Sequence, residues 1–327
     1  MTPQKTTRTA ALDAVAARYS VAITPASASL INPDDPDDPI ARQFLPSEAE
    51  LDEGPEDLSD PIGDGAHSPA PGIVHRYPDR LLLMLTHICA CYCRFCFRRE
   101  RVGPGKSPNR SGPELEAALA YIASDPAIWE VILSGGDPLI LSPRRLGAVM
   151  SALSAIEHVK VIRLHTRVPA VAPERITAEV VRALKRSGKA VYIALHVNHP
   201  RELTAAVRGA CARVIDAGIP MISQSVLLRG VNDDPKVLSD LMRGFVEMRI
   251  KPYYLHHGDL APGTAHLRTT LAEGQAVVSA LRGRVSGLCQ PTYVLDIPGG
   301  HGKVPVGPSY LRDGEVEDPW GVAHPYP

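Results

Sequence analysis

From residue 81 onward, short apolar strand-like runs alternate with amphipathic helical ones. That rhythm restricts the fold more than any other property of the 327 residues. The strand-like runs are 81–85, 130–133, 160–164, 190–196, 221–226 and 251–255. Helical periodicity fills 113–124, 144–155, 175–187, 202–217, 235–248 and 271–284. Strands joined through helices pair in parallel, with the helices packed outside the sheet. Six such units close a partial barrel or lie open as a doubly wound sheet, and periodicity does not choose between them. A seventh strand is read at 292–296.

Unusual polar residues end nearly every strand. They are the cysteines after 81–85, "SGGD" (134–137), "HTR" (165–167), "HVNH" (196–199), Gln224 and "HHGD" (256–259). Parallel α/β folds gather their sites at the carboxyl ends of strands. These segments are therefore read as one shared site, with "PGGHGK" (298–303) following the last strand.

Before residue 81 the pattern differs. Residues 6–19 suit a short amphipathic helix, and the Pro/Asp-rich stretch that follows cannot pack a core of its own. The expected organisation is a helical and irregular arm over 1–80, the main α/β unit over 81–288 and a C-terminal segment over 289–327. The loosest part is placed at 51–70. Lys and Arg number 35 against 36 Asp and Glu, so no global charge argues for nucleic acid. No apolar run approaches the ~20 residues of a membrane span. The first twenty residues lack the apolar core of a secretory signal. The expectation is a cytoplasmic chain with neither a membrane nor a nucleic-acid partner, in a compartment where thiols stay reduced.

Cys89, Cys93 and Cys96 have the spacing C-x3-C-x2-C. Three thiolates can hold a [4Fe–4S] cluster and leave one iron open to a small molecule. The competing reading is zinc, with His87 as the fourth ligand. Cys91 is read as a bystander, and Cys211 and Cys289 as small buried hydrophobes.

With an aromatic before the last two cysteines, this spacing resembles the radical S-adenosylmethionine (SAM) superfamily. "HRYPDR" (75–80), "CRFCFRR" (93–99), "LSGGDPL" (133–139), "NHPREL" (198–203), "QSVLLRGVND" (224–233), "KPYYLHHGDL" (251–260) and "DIPGGHGKVPV" (296–306) together resemble the lysine 2,3-aminomutase family, from about 70 to 310. The resemblance implies a partial (βα)6 TIM-type barrel, a [4Fe–4S] cluster, SAM and pyridoxal phosphate (PLP). It also implies a reaction: an adenosyl radical takes hydrogen from carbon 3 of L-lysine, and the 2-amino group migrates to give β-lysine.

The resemblance also assigns residues. Cys89, Cys93 and Cys96 anchor the cluster. Ser134, Gly135, Gly136, Asp137, His196 and Gln224 contact SAM. Lys303 joins the PLP aldehyde through its amine. Arg76, Tyr77 and Arg80 line the PLP site, arginine suiting a phosphate. Arg98 takes the substrate carboxylate. Asp259 and Asp296 hold the distal ammonium, because two facing carboxylates repel unless a cation lies between them.

Two departures qualify the substrate. Phe95 stands where many free-lysine enzymes carry His, as in relatives acting on a lysine of elongation factor P, and Glu100 interrupts an arginine run. No cysteine follows Cys289, so a monomer or small oligomer is expected. Lysine is the expected substrate and a flavodoxin or ferredoxin the expected reductant. The alternatives are another cationic amino acid, a role in elongation factor P modification, or a zinc- or cluster-bearing binding protein without turnover.

Overall fold

A computed structural model of the chain describes residues 3–103, 105 and 112–326. All the expected strands form, with ends shifted by two residues or fewer: β2 (Arg80–Thr86), β3 (Glu130–Gly135), β4 (Val161–Thr166), β5 (Ala190–His196), β6 (Met221–Val226), β7 (Lys251–His256) and β8 (Thr292–Ile297). β1 (Ile73–Tyr77) and β9 (Gly302–Pro305) flank them. The nine strands lie in one sheet in chain order. β2 to β8 run parallel, while β1 and β9 pair antiparallel with β2 and β8. β1 and β9 are not paired with each other. Residues from all nine strands nevertheless line one cavity, which a flat sheet could not arrange. The sheet is a nearly closed partial barrel.

The helices outside it are α2 (Gly112–Ser124), α3 (Pro143–Ser154), α4 (Ala178–Leu184), α5 (Ala205–Asp216), α6 (Pro235–Glu247) and α7 (Leu271–Ser279), after an N-terminal α1 (Pro3–Arg18). Local chemistry sets their starts. Asp234 accepts hydrogen bonds from the backbone N of Lys236 and Val237 at 2.8 and 3.1 Å, and Pro235 follows at the first helical position. Leu238, Leu241, Met242 and Phe245 then recur at helical spacing and are fully buried against the sheet. Removing Phe245 to Ala would cost about 3–5 kcal/mol. Thr177 and Thr204 are side-chain caps that start α4 and α5 later than periodicity alone predicted, at 178 and 205.

The arm departs from expectation. Residues 51–70 are irregular but not loose. Leu58 N–H donates to Leu260 O at 2.7 Å, Asp57 accepts from Arg268 at 3.1 Å, and Asp64 is 1% exposed. Just before them Glu50, fully buried, accepts from Arg94 Nε at 2.9 Å and ion-pairs with Arg99. The arm packs through carboxylates matched to cations of the barrel, a core that apolar patterning does not reveal. At the other end, β10 (Leu311–Arg312), β11 (Glu315–Glu317) and β12 (Ala323–Pro325) form a small antiparallel sheet. Among the described residues, no helix is long and apolar enough to cross a membrane.

Candidate active site

The barrel encloses a cavity of about 630 Å³, within the ordinary range for a small-molecule site. Cys89, Cys93, Cys96, Arg98, Ser134, Gly135, Gly136, Asp137, His196 and Gln224 all line it. So do Arg76, Tyr77, Arg80, Asp259, Asp296 and Lys303, so the structure brings together the residues assigned to the cluster, SAM, PLP and substrate.

At one end lies the cysteine loop that follows β2. It is held by the glycine pair at the end of β3. Gly136 N–H donates to Thr86 O at 2.6 Å and Asp137 N–H to Ile88 O at 3.0 Å. A Cβ on Gly136 would stand 2.3 Å from Ile88 O, and one on Gly135, whose φ is +111°, 2.5 Å from Thr86 O. The sequence suggested that these glycines admit a ligand; the group they admit most closely is the cysteine loop itself. The Asp137 carboxylate is likewise taken up within the fold. It accepts from Thr166 Oγ1 at 2.7 Å and from the backbone N of Leu139, Arg167 and Val168 at 3.0, 2.7 and 3.1 Å.

The three thiols differ in character. Burial pushes Cys89 up and takes Cys96 to about 11. Cys93 is lowered to about 6, first by a hydrogen bond from the Cys91 thiol and then by Arg167, whose Nη1 donates to its sulfur at 2.9 Å. Cys91 is buried beside Cys93. His87, the alternative zinc ligand, does not line the cavity. Cys89, Cys93 and Cys96 line one cavity from a single loop, and in a cluster each thiolate meets its own iron.

Next along the sheet, His196 and Gln224 are register partners on β5 and β6. The His196 ring packs 5.5 Å from Phe95, and burial drives its pKa well down, so it is neutral.

At the other end, Lys303 on β9 lies directly opposite Asp296 on β8. Its ammonium pairs with the Asp296 carboxylate and stands 3.1 Å from His256 Nδ1. Its backbone N–H donates to Tyr77 Oη at 2.8 Å, and Arg80 stacks 3.9 Å over the Tyr77 ring. Arg76 reaches both Asp64 and Asp296 at 3.6 Å, and Arg98 Nε donates to Asp64 at 2.7 Å. Burial, with Asp296 beside it, raises Asp259 to about 7. Asp296, though buried, is held below the usual carboxylate range by His256 and Lys303.

Sequence reasoning missed Asp64 and His256 as individual contributors, although "HHGD" contained the second of them. It noted "HTR" without seeing that Arg167 reaches a cysteine. Asp64 gave no signal, since it sits in a Pro/Asp/Gly-rich stretch that reads as solvated.

A curled sheet with a three-cysteine loop after its first parallel strand defines a radical SAM enzyme, and the Radical SAM superfamily model matches residues 83–241. A second model, Lysine-2,3-aminomutase, matches 278–315, the part that carries Lys303. This chain belongs to the lysine 2,3-aminomutase family. It is 43% identical to L-lysine 2,3-aminomutase of Clostridium subterminale, over 89% of this chain and 70% of that one. It is 44% identical to the enzyme of that name from Acetoanaerobium sticklandii, with the same coverage. It is also 39% identical to glutamate 2,3-aminomutase of Clostridioides difficile, over 91% of this chain and 70% of the other. The family's enzymes are isomerases that use a [4Fe–4S] cluster, SAM and PLP, and the residues around this cavity fit all three.

Proposed function

We propose that this chain is an L-lysine 2,3-aminomutase, moving the 2-amino group of lysine to carbon 3. The observation that carries the substrate is the pair Asp259 and Asp296 beside Lys303. Similarity reaches an enzyme named for glutamate almost as well as those named for lysine, so identity alone does not choose. Two buried carboxylates do: they would repel a second acid, and one of them already takes a primary ammonium, that of Lys303.

Each residue then has a task. Arg98, steadied through Nε by Asp64, keeps its outer N–H groups for the α-carboxylate. Asp259 and Asp296 hold the distal ammonium. Arg76, Tyr77 and Arg80 would line the PLP site, the arginines suiting its phosphate, and Lys303 would be the attachment point. Cys89, Cys93 and Cys96 would hold the cluster, while the 134–137 backbone, His196 and Gln224 would hold SAM. When bound, the cluster with SAM supplies the hydrogen-abstracting radical, and PLP supplies the conjugated ring that lets nitrogen migrate. The enclosing barrel keeps the reacting groups close and apart from water.

The reading includes a cytoplasmic setting, a flavodoxin- or ferredoxin-type electron donor, and β-lysine passing into elongation factor P modification. Phe95 against His196 supports the last, being the residue type those relatives carry. The division at residues 80 and 288 is part of the same reading. An anaerobic assay with dithionite, SAM and PLP tests it, run against lysine, glutamate, ornithine and arginine. Lysine is expected to give β-lysine and to turn over fastest. Turnover of glutamate in preference to lysine would overturn the substrate.

A further inference from the structure

Arg167 follows the last residue of β4 and is 6% exposed. Its guanidinium joins two parts of the molecule. Nη1 donates to Cys93 Sγ at 2.9 Å, while Nη2 donates to Gln43 Oε1 at 2.6 Å and Glu202 Oε2 at 2.7 Å. The rings of Phe44 and Phe95 lie 4.5 and 5.4 Å from it. Glu202 is fixed in turn by the backbone N–H groups of Asn198 and His199, both at 3.0 Å. A cation is thus held against one cluster cysteine, and a carboxylate is held behind the cation, all out of water.

We propose that Arg167 is a positioning residue that sets the reduction potential of the cluster, with Glu202 as its counterweight. This rests on the reading of Cys89, Cys93 and Cys96 as the cluster's ligands. Reduction adds one electron, delivered by a flavodoxin- or ferredoxin-class carrier in the cell or by dithionite in the tube. No proton and no bond changes partner in that step. The added negative charge spreads onto the sulfurs, where a donated N–H and a nearby cation stabilise it, so both raise the potential. Glu202 opposes them from one side chain further away. The pair holds the potential high enough for the carrier to deliver its electron and low enough for the electron to pass on to the sulfonium of SAM.

The test compares anaerobically reconstituted wild type, Arg167→Gln and Glu202→Gln by iron and sulfide content and by redox titration, with the reduced cluster read by electron paramagnetic resonance. Arg167→Gln should lower the midpoint: at one poised potential its reduced-to-oxidised ratio falls roughly tenfold, which is ~59 mV for a one-electron couple. Glu202→Gln should move the midpoint the other way. A merely structural role would reduce cluster content in both variants without opposite shifts. Wild-type midpoints in both variants at full cluster content, or shifts of the same sign, overturn the proposal. If Arg167→Gln retains no cluster, Glu202→Gln decides alone, and an unmoved midpoint there is a refutation. A wild-type chain that takes up no iron and sulfide overturns the cluster reading itself, a failure visible before any titration.

Discussion

The two ends of the cavity handle charge in opposite ways. At the cysteine end, sulfur faces a fixed cation, the cation faces a fixed carboxylate, and backbone groups hold the carboxylate in place. The carboxylates there, Asp137 and Glu202, already have partners within the protein. At the lysine end, acids and bases are crowded together without that balance. Asp296 is shared by Lys303 and Arg76, while Asp259 is raised to about 7 by burial and by Asp296. The first arrangement presents a finished mould to a permanent group. The second leaves a charge to be completed by each passing molecule.

The largest expected effect tests the finished end. Cys96→Ala should abolish turnover and lower the iron bound per chain, read by absorbance and metal analysis, because three thiolates are the fewest that leave a single open iron. Retention of full activity would mean that this end is not the cluster site. At the other end, Asp296→Asn removes one member of a buried charge group, a change worth about 3–5 kcal/mol. The expected loss in kcat/KM for lysine is on the order of 10²–10³-fold. An effect on stability alone would show that Asp296 serves only Lys303.

Gly136→Ala probes the mould more gently. A methyl group placed 2.3 Å from Ile88 O must push the cysteine loop aside. A cost of about 1–3 kcal/mol is expected in denaturant unfolding, with a loss of bound iron. The smallest effect is one of pH. Asp259 is raised from 3.8 to about 7, so below about 7 it carries a proton and cannot answer an ammonium. KM for lysine should therefore fall as pH rises towards 7, by up to about tenfold per unit, and level off above it. Asp259→Asn should remove that inflection. The same shift makes Asp259 a burden on folding: the cost is absent below the unfolded value of 3.8, grows between 3.8 and about 7, and is complete above.

Much of this was legible in the sequence, for reasons that can be stated. The strands and helices of the barrel are apolar on one face or both, which periodicity reads, although it began α4 and α5 ahead of their caps Thr177 and Thr204. Lys303 and the cysteines were visible because few other residues can do what they do. Asp64 and Glu50 were hidden for the opposite reason. A carboxylate among prolines and glycines reads as solvated, and nothing local reveals that Arg98 or Arg94 will arrive from elsewhere in the chain. Gly135 and Gly136 were legible as a close approach, but the sequence did not say that the thing approaching was residues 86–88. Arg167 was seen at a strand end, yet its sulfur partner lies 74 positions away, and no pattern in a single sequence spans that distance.

The turn between β8 and β9 carries a further consequence. Asp296 and Lys303 face each other because Ile297 and Gly302 do. Successive side chains on a strand point to opposite faces. One residue inserted among 298–301, with the turn itself kept at four residues, would therefore swing the amine to the outside of the molecule, at the cost of the Val306 packing just beyond β9 and with the rest of the barrel core left in place. Such a chain would fold and bind iron, yet it could not anchor its aldehyde. In this enzyme the length of a four-residue connection is as strict a requirement as the identity of the lysine that follows it.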